Sequence, residues 1–250
     1  MPETNTPEPT PLLLIPGLLC DDIVWQSQIA ALAGIADCTV ARNGATDSIT
    51  RMATNALALM PPGPFAVAGH SMGGRVALEI VRLAPERVSR LALLDTGYQA
   101  IAPGLPGQGE RNGRMALLQL ARTEGMRAMG ERWARGMVHP DAVGTPLFEA
   151  VLEMIGRATP DLYEAQIHAL LGRPDATPLL PHIRVPTLVL CGREDGWSPL
   201  ARHETMRDLI GDAARLAVVE HCGHMSTMEQ PEVVSGWMAR WLGAGDVTAA

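Results

Sequence analysis

The chain has no lysine and little aromatic residue: of its 250 residues, two are Phe, two Tyr and five Trp. It also lacks a clustered basic stripe, and its formal net charge is −7, which excludes a strong nucleic-acid partner. The arginines are dispersed along the sequence and read as a solvated surface rather than as a site. Cysteine is scarce. Cys20, Cys38, Cys191 and Cys222 show neither C-x-x-C pairing nor metal-ligand spacing; they read as free thiols of a reducing cytoplasm, with no metal centre. No apolar run is long enough to span a bilayer. Met1 to Pro11 is polar and proline-rich, without the basic start and apolar core of a secretory signal. The expectation is a cytoplasmic protein with no membrane partner.

What is present is an alternation of strand and helix. The apolar fraction is 47%, ordinary for a globular protein, and the length allows one large α/β domain or two small ones. Leu12–Ile15 is an unbroken apolar run ended by Pro16-Gly17, a fully buried strand type. Asp22 to Ala33 reads as a helix with Trp25, Ile29 and Leu32 on one face. Cys38–Ala41 reads as a short strand, and Ser48 as the cap of a helix to about Met60. Phe65–Ala68 and Val88–Leu94 are further strands, with a helix from Gly74 to Leu83 between them. From about Gly97 to His182 only helices are expected, at Glu110–Arg122, Met126–Met137, Pro146–Arg157 and Asp161–Leu171. Strands at Thr187–Cys191 and Leu216–Glu220 follow, with helices at Leu200–Ile210 and Glu232–Leu242. This order predicts a mostly parallel, doubly wound sheet interrupted by one helical insertion. The core is expected at 1–96 and 183–250, and the inserted cap at 97–182, over the strand ends where ligands bind.

Gly69-His70-Ser71-Met72-Gly73 lies between a strand and a helix, the setting of a nucleophile elbow. A side chain at 69 or 73 would collide with the neighbouring strand and helix. A serine hydroxyl needs a base, and His224, in the loop after the last strand, reaches the same sheet edge as Ser71. His221, in the same loop, is the close rival as base, but it directly abuts the strand and is expected to point elsewhere; His139, His168, His182 and His203 read as surface or packing residues, and His70 as lining nothing catalytic. The base needs a carboxylate to orient it. Asp195 follows the strand Thr187–Cys191, and Asp95, after Val88–Leu94, is the competing acid. Backbone N–H groups of Leu18 and Met72 would supply the oxyanion donors.

Four motifs in order resemble the α/β-hydrolase superfamily: Leu12–Leu18, Gly69–Gly74, Leu188–Asp195 and Gly223–Pro231. Within it the chain looks like small bacterial carboxylesterases and enol-lactonases. The departures are Pro16-Gly17 where many relatives have His-Gly, His70 at the elbow, and two opening strands missing or vestigial in residues 1–11. The resemblance implies an α/β-hydrolase fold and a cofactor-free serine hydrolase acting on a small-molecule ester or lactone, as a monomer or homodimer. The same-fold alternative is hydrolysis of a carbon–carbon bond; the alternative of another class is a receptor-like ligand-binding protein. In the cap, Met115, Met126, Met129, Met137 and Met154, with Leu117, Leu118, Leu120, Trp133 and Phe148, suggest an apolar wall that disfavours a highly charged substrate. Met115, Met129, Trp133, Trp25 and Trp197 are the candidate substrate contacts.

Overall fold

A computed structural model describes residues 8–243. Its described residues include one six-stranded sheet, in the order β2-β1-β3-β4-β5-β6, with every neighbouring pair parallel. The strands are β1 Thr10–Ile15, β2 Ala36–Val40, β3 Phe65–His70, β4 Val88–Leu94, β5 Thr187–Gly192 and β6 Ala214–Val219. Their composition follows from their places. The interior strands β3 and β5 are buried at every residue, as strands covered on both faces must be. The edge strands β2 and β6 expose Asp37 and Arg215.

The helices are α1 Gln26–Ala31, α2 Ile49–Leu57, α3 Met72–Leu83, α4 Leu105–Glu124, α5 Met126–Trp133, α6 Pro146–Gly156, α7 Pro160–Leu171, α8 Leu200–Ile210, α9 Ser226–Glu229 and α10 Pro231–Leu242. On the core, α2 packs against α3 and α1 against α10. Ser48 caps α2 as expected, accepting from Arg51 N at 3.4 Å. The helix expected over Asp22–Ala33 is instead a 3₁₀ turn, Asp22–Trp25, followed by the short α1. Asp21 accepts from Ile23 N at 3.1 Å, an i→i+2 turn that tightens the helix start. The one-turn α9 had no counterpart in the sequence reading. Of the leader Met1–Pro11, residues 1–7 lie outside the described residues. No helix among those described is long and apolar enough to cross a membrane.

The sheet order reverses direction at β1. The chain leaves β1 for β2 on one side, then returns to β3 on the other, so the loops after β1 and β3 diverge at a switch point. In open α/β sheets that crevice is where ligands bind. Gly17-Leu18 and Ser71 stand on those two loops. Helices α4 to α7 all belong to the single connection between β4 and β5.

Candidate active site

Ser71 is the residue between β3 and α3, and its backbone has φ 55° and ψ −117°, a conformation non-glycine residues rarely adopt. Close approach explains the flanking glycines. A Cβ on Gly69 would stand 2.2 Å from Gly73 O, and one on Gly73 would stand 2.0 Å from Ile15 O. The turn is held from behind by Thr96, whose Oγ1 donates to Ser71 O at 2.6 Å. The hydroxyl therefore projects at the sheet edge on a backbone that cannot relax.

His224, Asp195 and Ser71 form one hydrogen-bonded chain. Ser71 Oγ lies 2.8 Å from His224 Nε2, and His224 Nδ1 lies 2.7 Å from Asp195 Oδ2. The other oxygen, Asp195 Oδ1, accepts from Trp197 N and Ser198 N, each at 2.8 Å. Burial disfavours charge on both partners, yet the pair overcomes it. The Asp195 carboxylate holds the His224 pKa above the ordinary histidine value. His224 and the two N–H donors draw Asp195 below the ordinary carboxylate value. An imidazole so placed can take a hydroxyl proton and remain oriented while charged.

Asp95 does not reach the imidazole of His224. It is fully buried, accepting from Gly192 N at 3.0 Å and bonding Ser226 Oγ, with His70 Nε2 at 3.6 Å. Burial, then the nearby charge of Asp195, pushes its pKa well up. His70 is nearer the site than its elbow position suggested: its Nε2–H donates to the carbonyl of His224 at 2.8 Å. Burial, followed by the charge of His224, brings its pKa down to about 3, so it stays neutral. His203 is buried and accepts from Thr96 N at 3.0 Å. A second missed residue is Glu229 on α9. Its carboxylate accepts from Gly223 N at 3.1 Å, Met225 N at 3.0 Å and His139 N at 2.7 Å, clamping the His224 loop to the segment between β4 and β5.

The N–H groups of Leu18 and Met72 find no acceptor among the described residues, and both residues line the same cavity as Ser71 and His224. Leu19 has φ 59°, and its N–H donates to Gln166 Oε1 of α7 at 2.9 Å. Helix α7, in the connection between β4 and β5, thus grips the loop that carries Leu18.

The cavity has a volume of about 410 Å³. Trp133 and Trp197 line it, stacked with ring centroids 5.0 Å apart, and Trp197 lies 5.1 Å from the His224 ring. The other candidate contacts fall elsewhere. Trp25 and Met129 are fully buried in the hydrophobic core, and Met115 is 39% exposed on α4; none of the three lines this cavity. Helix docking turned those faces away. The apolar wall is likewise only one side of the cavity: Arg75, Arg114, Arg173 and Arg202 line the rest, with Glu110. These arginines are not part of a dispersed solvated surface.

Residues 12–237 match the alpha/beta hydrolase family. The chain belongs to this family. A curated relative within reach is a pimeloyl-[acyl-carrier protein] methyl ester esterase of Aromatoleum aromaticum, 29% identical over 70% of this chain and 73% of that protein. Among solved structures, this alpha/beta hydrolase is similar to a malate-bound thermophilic esterase from Thermogutta terrifontis, with a TM-score of 0.82 and 28% identity over 95% of this chain and 91% of that one. The enol-lactonase of Burkholderia xenovorans shares the fold with the same TM-score, at 21% identity over 95% of this chain and 92% of that one.

Proposed function

We propose that this alpha/beta hydrolase cleaves a carboxylic ester or lactone through a serine acyl-enzyme. The observation that carries the reading is the continuous Ser71–His224–Asp195 chain, at 2.8 and 2.7 Å, on a backbone turn that projects the hydroxyl. Ser71 Oγ attacks the carbonyl carbon while His224 Nε2 takes its proton. The Leu18 and Met72 N–H groups receive the oxyanion. The carbon–oxygen bond to the alcohol then breaks, and His224 returns the proton to the leaving alkoxide; in a lactone the alcohol stays tethered. Water attacks the acyl-enzyme by the same route, releasing the acid and restoring the Ser71 hydroxyl. Asp195 orients the imidazole and stabilises its charged form. The helices of 97–182 act as a cap, since Leu117, Trp133 and Leu170 help to wall the cavity. The names of the similar esterase and enol-lactonase support ester and lactone bonds as the class to try.

The test is turnover by the purified protein of short-chain p-nitrophenyl esters and of a lactone panel, followed by acid release. A ring-fission dienolate, followed by loss of colour, serves as the carbon–carbon arm. Hydrolysis of esters or lactones, lost in Ser71→Ala, is the expected result. Inertness toward both, or turnover of the dienolate alone, would overturn the reading.

A further inference from the structure

The cavity beside Ser71 gathers four guanidinium groups against one carboxylate. Arg75 on α3 and Arg202 on α8 come from the core, whereas Arg114 on α4 and Arg173, just after α7, come from the inserted segment. Glu110 engages the latter two. Its carboxylate accepts from Arg173 Nη1 at 2.6 Å and Nη2 at 2.8 Å, and from Arg114 Nε at 3.0 Å. Arg75 and Arg202 form no ion pair among the described residues. Each donates to a backbone carbonyl instead: Arg75 Nη1 to Gln99 O at 2.7 Å, and Arg202 Nη1 to Trp197 O at 3.0 Å. Some arginines elsewhere find carboxylates, as in Arg82 with Glu79, Arg127 with Glu149 and Arg193 with Glu220. Others, Arg87, Arg90 and Arg184 among them, donate to backbone carbonyls as Arg75 and Arg202 do; what sets Arg75 and Arg202 apart is that they line the cavity beside Ser71.

The groups converge. Arg173 Nε donates to the same Gln99 carbonyl at 3.1 Å. A Cβ on Gly97 would stand 2.6 Å from Arg75 Nη2 and 3.3 Å from Arg202 Cδ, so the absent side chain is what admits both arginines over the end of β4. Trp197, which holds Arg202, is the residue packed on the His224 ring. Arg75 follows Ser71 by one helical turn, about 6 Å along the axis. Like charges brought this close repel. Burial, followed by the charges of Arg173 and Arg202, presses the Arg75 pKa down to about 9. An anion in the cavity would relieve that repulsion, and guanidinium forks match planar oxyanions in bidentate fashion.

We propose that Arg75 and Arg202, backed by the Glu110-bound Arg114 and Arg173, form a subsite for a carboxylate, or an equally compact oxyanion, on the substrate. The favoured substrates are then half-esters of dicarboxylic acids and lactones bearing an acid group. This inference rests on the ester-hydrolase reading above and names its substrate class.

Two measurements test it. In the first, Ser71→Ala protein is titrated by calorimetry with adipate, inorganic phosphate and dimethyl adipate. An anion should bind at least about tenfold more tightly than the neutral diester, and added salt should weaken it. Adipate ahead of phosphate identifies a carboxylate; the reverse order identifies a phosphorylated substrate. In the second, the wild-type enzyme should cleave monomethyl adipate about tenfold faster in kcat/KM than dimethyl adipate. Arg75→Met and Arg202→Met should each erode that ratio by about tenfold. The two variants stand on different helices, and thermal melts identify one that fails to fold. If dimethyl adipate is cleaved as well as the half-ester and neither anion binds, the subsite is overturned while the hydrolase reading stands. If an anion binds but no ester or lactone is cleaved, the hydrolase reading falls and the anion site stands.

Discussion

Asp195 and Asp95 follow adjacent strands of one sheet and are held in opposite electrostatic states. Asp195 pairs with the imidazole and receives two N–H donors, so its charge is stabilised. Asp95 is enclosed, next to a like charge, and resists ionisation. Asparagine should therefore mimic Asp95 far better than it mimics Asp195. We expect Asp195→Asn to lower kcat by about 10³–10⁴-fold, the scale of losing the orienting carboxylate of such a triad. Asp95→Asn should retain activity within about tenfold, and steady-state kinetics on one p-nitrophenyl ester checks both. The same pair of variants fixes a pH effect. His224 must be neutral to accept the Ser71 proton, and its pKa lies above the ordinary histidine value. The acid limb of kcat/KM should thus fall above a pH of about 6.5. In Asp195→Asn the residual activity should show that limb at lower pH, because burial then acts on the imidazole without its compensating carboxylate.

At the scale of elements, much of the site was legible because its signals are local. Two glycines around Ser71, a strand before and a helix after specify the turn, and the structure adds the reason in atoms: the Ile15 and Gly73 carbonyls occupy the space of the missing side chains. Gly73→Ala should cost about 3 kcal/mol or more, at the upper end for overpacking, measured as a lowered urea midpoint or as loss of soluble protein. The loop of His224 was placed by chain order, but its clamp was not. Glu229 stands inside the motif Gly223–Pro231, but its spacing does not tell what it binds, and only folding brings Gly223, Met225 and His139 to it. Glu229→Gln turns one acceptor oxygen into a donor facing those N–H groups, at about 1–3 kcal/mol of local stability. We expect kcat to fall about tenfold with little change in KM, since the His224 loop loses its fixed geometry while the cavity walls stay in place.

Across the whole molecule, the sheet order 2-1-3-4-5-6 brings the loops of Leu18 and Ser71 to one crevice, and β5 and β6 deliver Asp195 and His224 beside them. That architecture could be read from apolar runs and their succession. The walls of the cavity could not. Arg75, Arg114, Arg173 and Arg202 belong to separate elements, and nothing in the spacing of dispersed arginines tells which face one cavity. Trp25 and Met129 misled for the same reason, since an apolar residue on a helix serves the core or a pocket according to how the helix docks. All of the proposed chemistry rests on Ser71 being a nucleophile activated by His224. Its most direct measurement is mass spectrometry of protein treated with a fluorophosphonate. One phosphonyl group is expected on the peptide containing Ser71, and none of that adduct in Ser71→Ala or under conditions that keep His224 protonated. An unmodified protein, or label on any other residue, would contradict it.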